Sequence, residues 1–372
     1  MSYQRWAWVE VDTSAVVHNV RLLKSLCPAT TRFMAVVKAD GYGHGAVEVA
    51  RAALRAGADR LGVATVEESV ALREAGIAAP LHVLSEPPRD AVPLLLEHDV
   101  IPTVTTREFA TELSRAAVLA ERTARYHLKI DTGMNRIGVR AEQSAEVAAW
   151  LRGLPGLQME GVFTHFATAD VIGDWDFERQ MQRFAAAIEA MRTEGLKPAL
   201  VHAANSAATI LSPESHFDLV RCGIAIYGLH PAPSTYGRID LRPAMSVKAR
   251  VSFVKRIGLG EGVSYGLTWR AAAPTTIATL PLGYADGVHR LLSNRMEVLI
   301  GGRRCRQVGR VCMDQLMVEV PDGLDVRIGN EAVLVGEQGS ERIVLDELAE
   351  AAGTINYELA CGFALRMERR YR

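Results

Sequence analysis

Residues 33–64 read FMAVVKADGYGHGAVEVARAALRAGADRLGVA. An apolar run, Met34–Val37, gives way to a glycine-rich turn, then to an Ala-rich, charge-studded segment with helical spacing, and then to a second apolar run at Leu61–Ala64. The hydrophobic period passes from that of a buried strand to that of an amphipathic helix and back, which is the sign of a parallel β/α unit.

The same alternation continues outward to Tyr227. Leu81–Leu84, Ile101–Val104, Arg125–Ile130, Met159–Thr164, Ala199–Ala203 and Asp218–Arg221 bring the strand candidates to eight, with seven helical segments between them. Eight such strands predict a TIM-like (β/α)8 α/β barrel. A doubly wound sheet would more typically open with GxGxxG after its first strand, whereas KADGYGHG follows Val37.

Pro231, Pro233, Gly237 and Pro243 break both periodicities, which puts a domain boundary near residue 241. A barrel domain over 1–240 and a C-terminal domain over 241–372 are expected. Beyond the boundary, Met245–Val254, Thr275–Leu280, Glu297–Ile300, Gln307–Val320 and Glu331–Gly336 alternate and are separated by glycine turns, with one helix near Leu345–Ala352. This predicts a mostly β C-terminal domain. Within residues 1–12, Trp6–Val11 is apolar on both faces and is expected to pair with a sheet of that domain.

Composition narrows the partners. The 42 Lys+Arg against 43 Asp+Glu leave a net charge of −1, and no block of five or six like charges occurs, so attraction to nucleic acid or to anionic lipid is not supported. No stretch of 18 residues lacks Asp, Glu, Lys and Arg, which argues against a spanning helix. Met1–Asp12 lacks an apolar signal region, and the five cysteines are scattered without CxxC, so a reduced, cytoplasmic chain without a metal site is expected.

In such a barrel the working groups stand at the C-terminal ends of the strands. These are Lys38 after the first strand, Lys129 at the end of the fifth, His165 after the sixth, His202 in the seventh and Arg221 at the end of the eighth. A strand-end lysine is more often solvated or ion-paired, and a histidine in an apolar run is more often a hydrogen-bonded core residue. Lys38 carries more weight, because an apolar mouth lowers a lysine pKa and makes the amine nucleophilic toward aldehydes. That suggests Schiff-base chemistry, with either a carbonyl substrate or pyridoxal 5′-phosphate. A phosphate would need donors near the seventh and eighth strands, where Asn205-Ser206 opens a helix and Gly223-Ile224 follows Arg221. Ser206 fits a plain helix N-cap equally well.

The blocks AVVKADGYGHG (35–45), LKIDTGMNRIG (128–138), HAANSAA (202–208), RCGIAIYG (221–228), GEGVSYG (260–266), GYADG (283–287) and GRVCMD (309–314) resemble, in order, those of alanine racemases. The resemblance spans nearly the whole chain. It implies a pyridoxal 5′-phosphate-dependent isomerase that interconverts L-alanine and D-alanine for bacterial cell-wall peptidoglycan. It also implies a head-to-tail homodimer whose sites borrow residues from the other copy. By resemblance Lys38 is the base on one face of the planar carbanion and Tyr265 of a second copy the base on the other. A phenol titrating near ~10 needs a cation beside it to act as a base at neutral pH. Arg136 matches that position, and Lys129 matches the family's N6-carboxylysine, which orients the arginine. Arg136 and Met313 match the positions that hold the substrate carboxylate.

Arg221 matches the residue that faces the pyridine nitrogen, with His165 behind it. A guanidinium can only donate there and leaves the ring a weaker electron sink, which favours racemisation over transamination. Tyr42, Asn205, Ser206, Gly223, Ile224 and Tyr357 match cofactor-binding positions. Asp170, Tyr284, Arg290, Arg310 and Tyr357 match the substrate entrance, and the arginines at 303, 304 and 306 read as a solvated strand edge. Barrel decarboxylases of basic amino acids are disfavoured by Arg221. A cofactor-free aldolase, a racemase acting on serine or on several substrates, and a non-catalytic pyridoxal-phosphate-binding relative are the remaining readings.

Overall fold

The computed structural model describes Arg5–Arg372, and its residues form two compact units, one of Ser14–Gly41 with Ala46–Pro243 and one of the residues up to Thr13 with Tyr42–Gly45 and Ala244–Arg372. The first four residues of the expected 1–240 domain lie outside the described residues.

The barrel unit holds eight parallel strands: Arg32–Val36, Arg60–Val63, Leu81–Val83, Val100–Val104, Ala124–Asp131, Leu157–Phe163, Leu200–His202 and Leu219–Cys222. Each pairs with the next in chain order as far as the seventh, and the eighth pairs with the first. Between the seventh and eighth, single bonds join the edges, from Asp218 N to Val201 O (3.0 Å) and from Arg221 N to Ala204 O (3.0 Å). The helices begin where polar side chains satisfy their first amides. Asp40 Oδ1 accepts from Ala46 N, Thr106 Oγ1 from Phe109 N, and Thr65 forms a capping box with Glu68. Their inner faces are alanine-rich, as in Ala46–Arg55, which buries Val49, Ala50, Ala52 and Ala53.

The second unit is built on a sheet ordered Arg303–Arg306, Glu297–Ile300, Glu331–Gln338, Met245–Arg250, Ala7–Val11, Glu368–Tyr371. Ala7–Val11 runs antiparallel to Met245–Arg250 and parallel to Glu368–Tyr371, and both of its faces are buried. A separate three-stranded sheet holds Phe253–Ile257, Thr275–Leu280 and Leu316–Val320.

Four sequence expectations change here. Met245–Val254 is not one strand but two in different sheets, because the chain turns at Val251-Ser252. Gln307–Val320 narrows to a strand at Leu316–Val320 with an isolated bridge at Gln307. A left-handed Gly309 (φ 75°) and the loop after it interrupt the apolar run. The helix at Leu345–Ala352 is followed by a second, Asn356–Gly362, which carries Tyr357. The Arg303–Arg306 strand does lie at a sheet edge, but Arg304 is not merely solvated, since it pairs with Glu297, Glu341 and Glu347.

Candidate active site

Lys38 leaves the first strand directly into a run of left-handed backbone, Ala39 (φ 52°), Asp40 (φ 49°), Gly41 (φ 62°) and Tyr42 (φ 51°). For non-glycine residues this conformation costs roughly 1–2 kcal/mol each, so neighbouring contacts must impose it. Glu68 does much of this: its Oε1 accepts from Ala39 N (2.6 Å) and its Oε2 from Ala64 N (2.8 Å). Gly41 N also donates to Val37 O (2.9 Å).

Lys129, near the end of the fifth strand, is buried. Burial, then the charges of Arg136 and Arg221, push its amine down to about 7. Lys38 adds to this repulsion and Asp131 opposes it. Lys38, Lys129, Arg136 and Arg221 also act together on His165, which burial and these cations hold well below the usual histidine range. The cations gather around one mouth, where Asp131 is the carboxylate that acts on Lys129.

Arg221 is buried at the end of the eighth strand and drawn down by burial to about 9, so it is a cation at neutral pH. Its Nη1 donates to His202 Nδ1 (3.0 Å), and its Nη2 donates to Thr164 O (2.8 Å), Ala203 O (2.9 Å) and His165 Nδ1 (3.2 Å). The Phe163 ring stacks on His202 at 4.8 Å, with Lys129 Nζ 5.4 Å and Arg221 Cζ 5.3 Å from its centroid.

Asn205, not Ser206, is the cap of the helix Ser206–Leu211: its Oδ1 accepts from Ala208 N (3.0 Å). Ser206 Oγ instead accepts from Gly223 N (3.0 Å) and Ala225 N (3.4 Å). A hydroxyl and the amides that open the Ile224–Tyr227 turn therefore converge, a donor set that suits a phosphate. With these cations nearby, the donor set fits a cofactor bearing a phosphate and a substrate bearing a carboxylate. The Asp170 carbonyl accepts from Ser234 Oγ (2.6 Å).

The second unit carries the other predicted residues in two groups. The Tyr42 and Tyr357 rings lie 6.3 Å apart. Tyr265, Tyr284, Arg290, Arg310 and Met313 are gathered by the 309–313 loop. Ser264 Oγ donates to Arg310 O (2.6 Å), Tyr284 N to Cys312 O (3.0 Å) and Ala285 N to Met313 O (3.0 Å). Ser293 Oγ, which donates to Arg290 O, also accepts from Val311 N. Tyr265 sits in the turn of the Gly262–Val263/Trp269–Arg270 hairpin and is 70% exposed, and Tyr284 and Met313 are exposed too.

Sequence reasoning read His202 as a hydrogen-bonded core residue but missed the layer it belongs to beneath Arg221. His82, His127 and His202, from the third, fifth and seventh strands, are fully buried, with ligand atoms within 4.8 Å of one another. Alternate strands of a closed barrel contribute to one layer, so strand spacing would have found this group, whereas ligand motifs along the chain do not.

The alanine racemase N-terminal-domain family matches residues 11–231 and the alanine racemase C-terminal-domain family matches residues 244–371. The chain is 49% identical over 367 residues to an alanine racemase of Symbiobacterium thermophilum, covering 99% of this chain and 97% of that one. Among solved structures, the alanine racemase of Bacillus anthracis with bound L-Ala-P superposes with a TM-score of 0.93 at 40% identity, covering 100% of this chain and 96% of that one. That of the D-cycloserine producer Streptomyces lavendulae gives a TM-score of 0.94 at 38% identity, covering 100% and 98%.

Proposed function

The chain belongs to the alanine racemase family, and from that premise we propose that it interconverts L-alanine and D-alanine by moving the Cα proton between two bases, with pyridoxal 5′-phosphate as cofactor. The observation that carries this reading is the gathering of Lys38, Lys129, Arg136 and Arg221 at one barrel mouth, Lys129 and Arg221 buried, beside the Ser206 and Gly223 donors. Matches in both domains disfavour a non-catalytic relative lacking the second domain.

Ser206 Oγ, the amides of Gly223 and Ile224, and the hydroxyls of Tyr42 and Tyr357 would hold the phosphate. Arg221 would hold the ring nitrogen. The cofactor, when bound, supplies an electron sink that acidifies the substrate Cα–H. Because Arg221 is a cation at neutral pH that keeps its protons, it would donate a hydrogen bond to that nitrogen without protonating it. With the sink so weakened, the proton would be returned quickly to Cα.

Lys38 Nζ exchanges a proton with Cα on one face, and Tyr265 Oη of a second copy does so on the other. Arg136 and Met313 hold the carboxylate, Asp170, Tyr284, Arg290 and Arg310 line the entrance, and Asn205 fixes the helix that presents Ser206. With its amine at about 7, Lys129 has a large neutral fraction at neutral pH. Its nitrogen then bonds the carbon of CO2 and releases one proton to water. The resulting carbamate offsets the charge of Arg136. The setting is a homodimer in the bacterial cytoplasm supplying D-alanine for peptidoglycan. Among the described residues no helix is long and apolar enough to cross a membrane.

Purified chain supplied with the cofactor is expected to absorb in the visible and to form D-alanine from L-alanine, and Lys38→Ala to lose both. An active, colourless enzyme would refute the reading. A panel of L-amino acids, serine first, measures its strictness.

A further inference from the structure

The polar filling of this barrel has a direction. Typical TIM barrels are packed with Val, Ile and Leu, yet here a chain of hydrogen bonds runs through the interior from Arg221 toward the opposite end. Arg221 Nη1 lies 3.0 Å from His202 Nδ1, His202 Nε2 lies 2.7 Å from His127 Nδ1, and His127 Nε2 lies 2.8 Å from Glu160 Oε2. Arg60 Nη1 and Nη2 approach the two Glu160 oxygens at 3.0 and 3.3 Å, and Arg125 Nη1 stands 3.6 Å away.

Only one assignment of protons satisfies every link. A guanidinium has donors alone, so His202 Nδ1 must accept and its proton sits on Nε2. That N–H donates to His127 Nδ1, which leaves the His127 proton on Nε2, where the Glu160 carboxylate accepts it. Burial pushes both imidazoles down, His202 far down, and both are neutral at neutral pH. Burial alone would raise the Glu160 carboxyl, but hydrogen bonds from His127 and Arg60 outweigh it and hold the group below the usual carboxylate range. The same nitrogens are therefore committed, and the three-histidine cluster with His82 is a hydrogen-bonded packing layer rather than a metal set. His82 Nε2 lies 3.1 Å from Thr103 Oγ1.

We propose that Glu160 is a positioning residue for the racemisation: acting through His127 and His202, each locked as its Nε2–H tautomer, its carboxylate orients the Arg221 guanidinium and balances its charge. This rests on the reading that Arg221 faces the cofactor ring nitrogen. Glu160 touches neither cofactor nor substrate. It sets the direction in which Arg221 points and how much positive charge the mouth carries. The sequence gives little hint of it, since Glu160 lies within a strand, 33 residues from His127.

The test uses the cofactor-loaded protein labelled with 15N-histidine, with His127 and His202 assigned by single substitution. Both rings are expected to show a protonated Nε2 and a bare Nδ1, and a proton on Nδ1 of either ring overturns the proposal. Glu160→Leu, which removes the acceptor, is expected to shift His127 to mixed tautomers and to lower kcat about tenfold, the scale of a lost outer partner, with KM nearly unchanged. Should that variant not fold, Glu160→Gln keeps an acceptor oxygen but no charge, and is expected to preserve both tautomers while still lowering kcat. Wild-type kcat in the variant that folds overturns the proposal, as does a loss of kcat in Glu160→Leu with unmoved ring nitrogens. If the wild-type protein racemises nothing, the functional reading fails instead, and the ring-nitrogen spectra still decide whether Glu160 fixes the tautomers.

Discussion

The two residues proposed as proton carriers both stand beside left-handed backbone, yet in opposite surroundings. Lys38 precedes the run from Ala39 to Tyr42, and that turn is held by Glu68 and by a bond from Gly41 N to Val37 O. Tyr265 stands between Ser264 (φ 65°) and Gly266 (φ 72°), followed by Leu267 (φ 45°), and its ring is 70% exposed. The hairpin beneath it rests on a small apolar cluster of Ile257, Val263, Ala271, Ile277 and Val308. The first turn is held by the Glu68 carboxylate and by its own Gly41–Val37 bond. The second fixes a backbone but leaves the side chain with no enclosing wall. Strained backbone can aim a single atom, and the exposed ring of Tyr265 fits the proposal that its atom serves a second copy.

The comparison breaks most visibly at Lys38. Lys38→Ala is expected to lower turnover by about four orders of magnitude, as removal of a covalent and acid–base group does, and to remove the visible absorbance. Tyr265→Phe is expected to cost about 10³-fold in racemisation, to keep the absorbance, and to leave Cα-proton exchange from one enantiomer only. Mixing these two inactive variants sharpens the point. If Tyr265 serves the neighbouring copy, half of the dimers are mixed and each has one intact site, so about a quarter of the activity returns. No recovery after subunit exchange would place both bases in one chain.

Acidity separates the units in a different way. His82, His127 and His202 are buried and held below the usual histidine range, His127 against the pull of Glu160. Below about pH 6.5 the unfolded chain binds protons that the folded barrel refuses. Stability is therefore expected to fall with pH by up to ~1.4 kcal/mol per unit for each histidine, measured by urea unfolding across pH 7 to 5. A flat profile would mean that these histidines are protonated in the fold. The smallest effect is expected at the clamp. Glu68→Ala should cost about 1–2 kcal/mol through the lost cap and amide bonds and should lower kcat more than a matched loss at the other turn, Ser264→Ala. Equal effects would remove the distinction between an over-determined turn and an open one.

The barrel was legible because its strands are apolar runs with helices between them, and each lies within a residue or two of the reading. Lys38, Lys129, His165 and Arg221 were legible as strand-end residues. The histidine layer was hidden, because His82, His127 and His202 meet only once the sheet closes. Glu68 was hidden for another reason: a capping box explains its place in the helix and conceals that its carboxylate also reaches Ala39 N. In the second unit, the break at Gly309 turned one apparent strand into a loop that gathers Tyr265, Arg310 and Met313, since apolar periodicity does not report where the backbone turns left-handed. The helix carrying Tyr357 has no side-chain cap to announce it.

The Ala7–Val11 strand has a consequence for the birth of the molecule. It is sandwiched between Met245–Arg250 and Glu368–Tyr371, so an early-emerging segment with two buried faces stays without either partner while more than two hundred residues are translated. At ribosomal speeds that interval is on the order of tens of seconds. The barrel strands, Arg32 to Cys222, emerge before Met245, and all but the first–eighth pair find their partner in the next strand along the chain. For Ala7–Val11 the dangerous period is the wait, in which an apolar strand with open edges is exposed to other nascent chains and to chaperones. Slowing translation near residue 245 should therefore raise aggregation far more than the same pause at residue 371, after which the sheet closes at once.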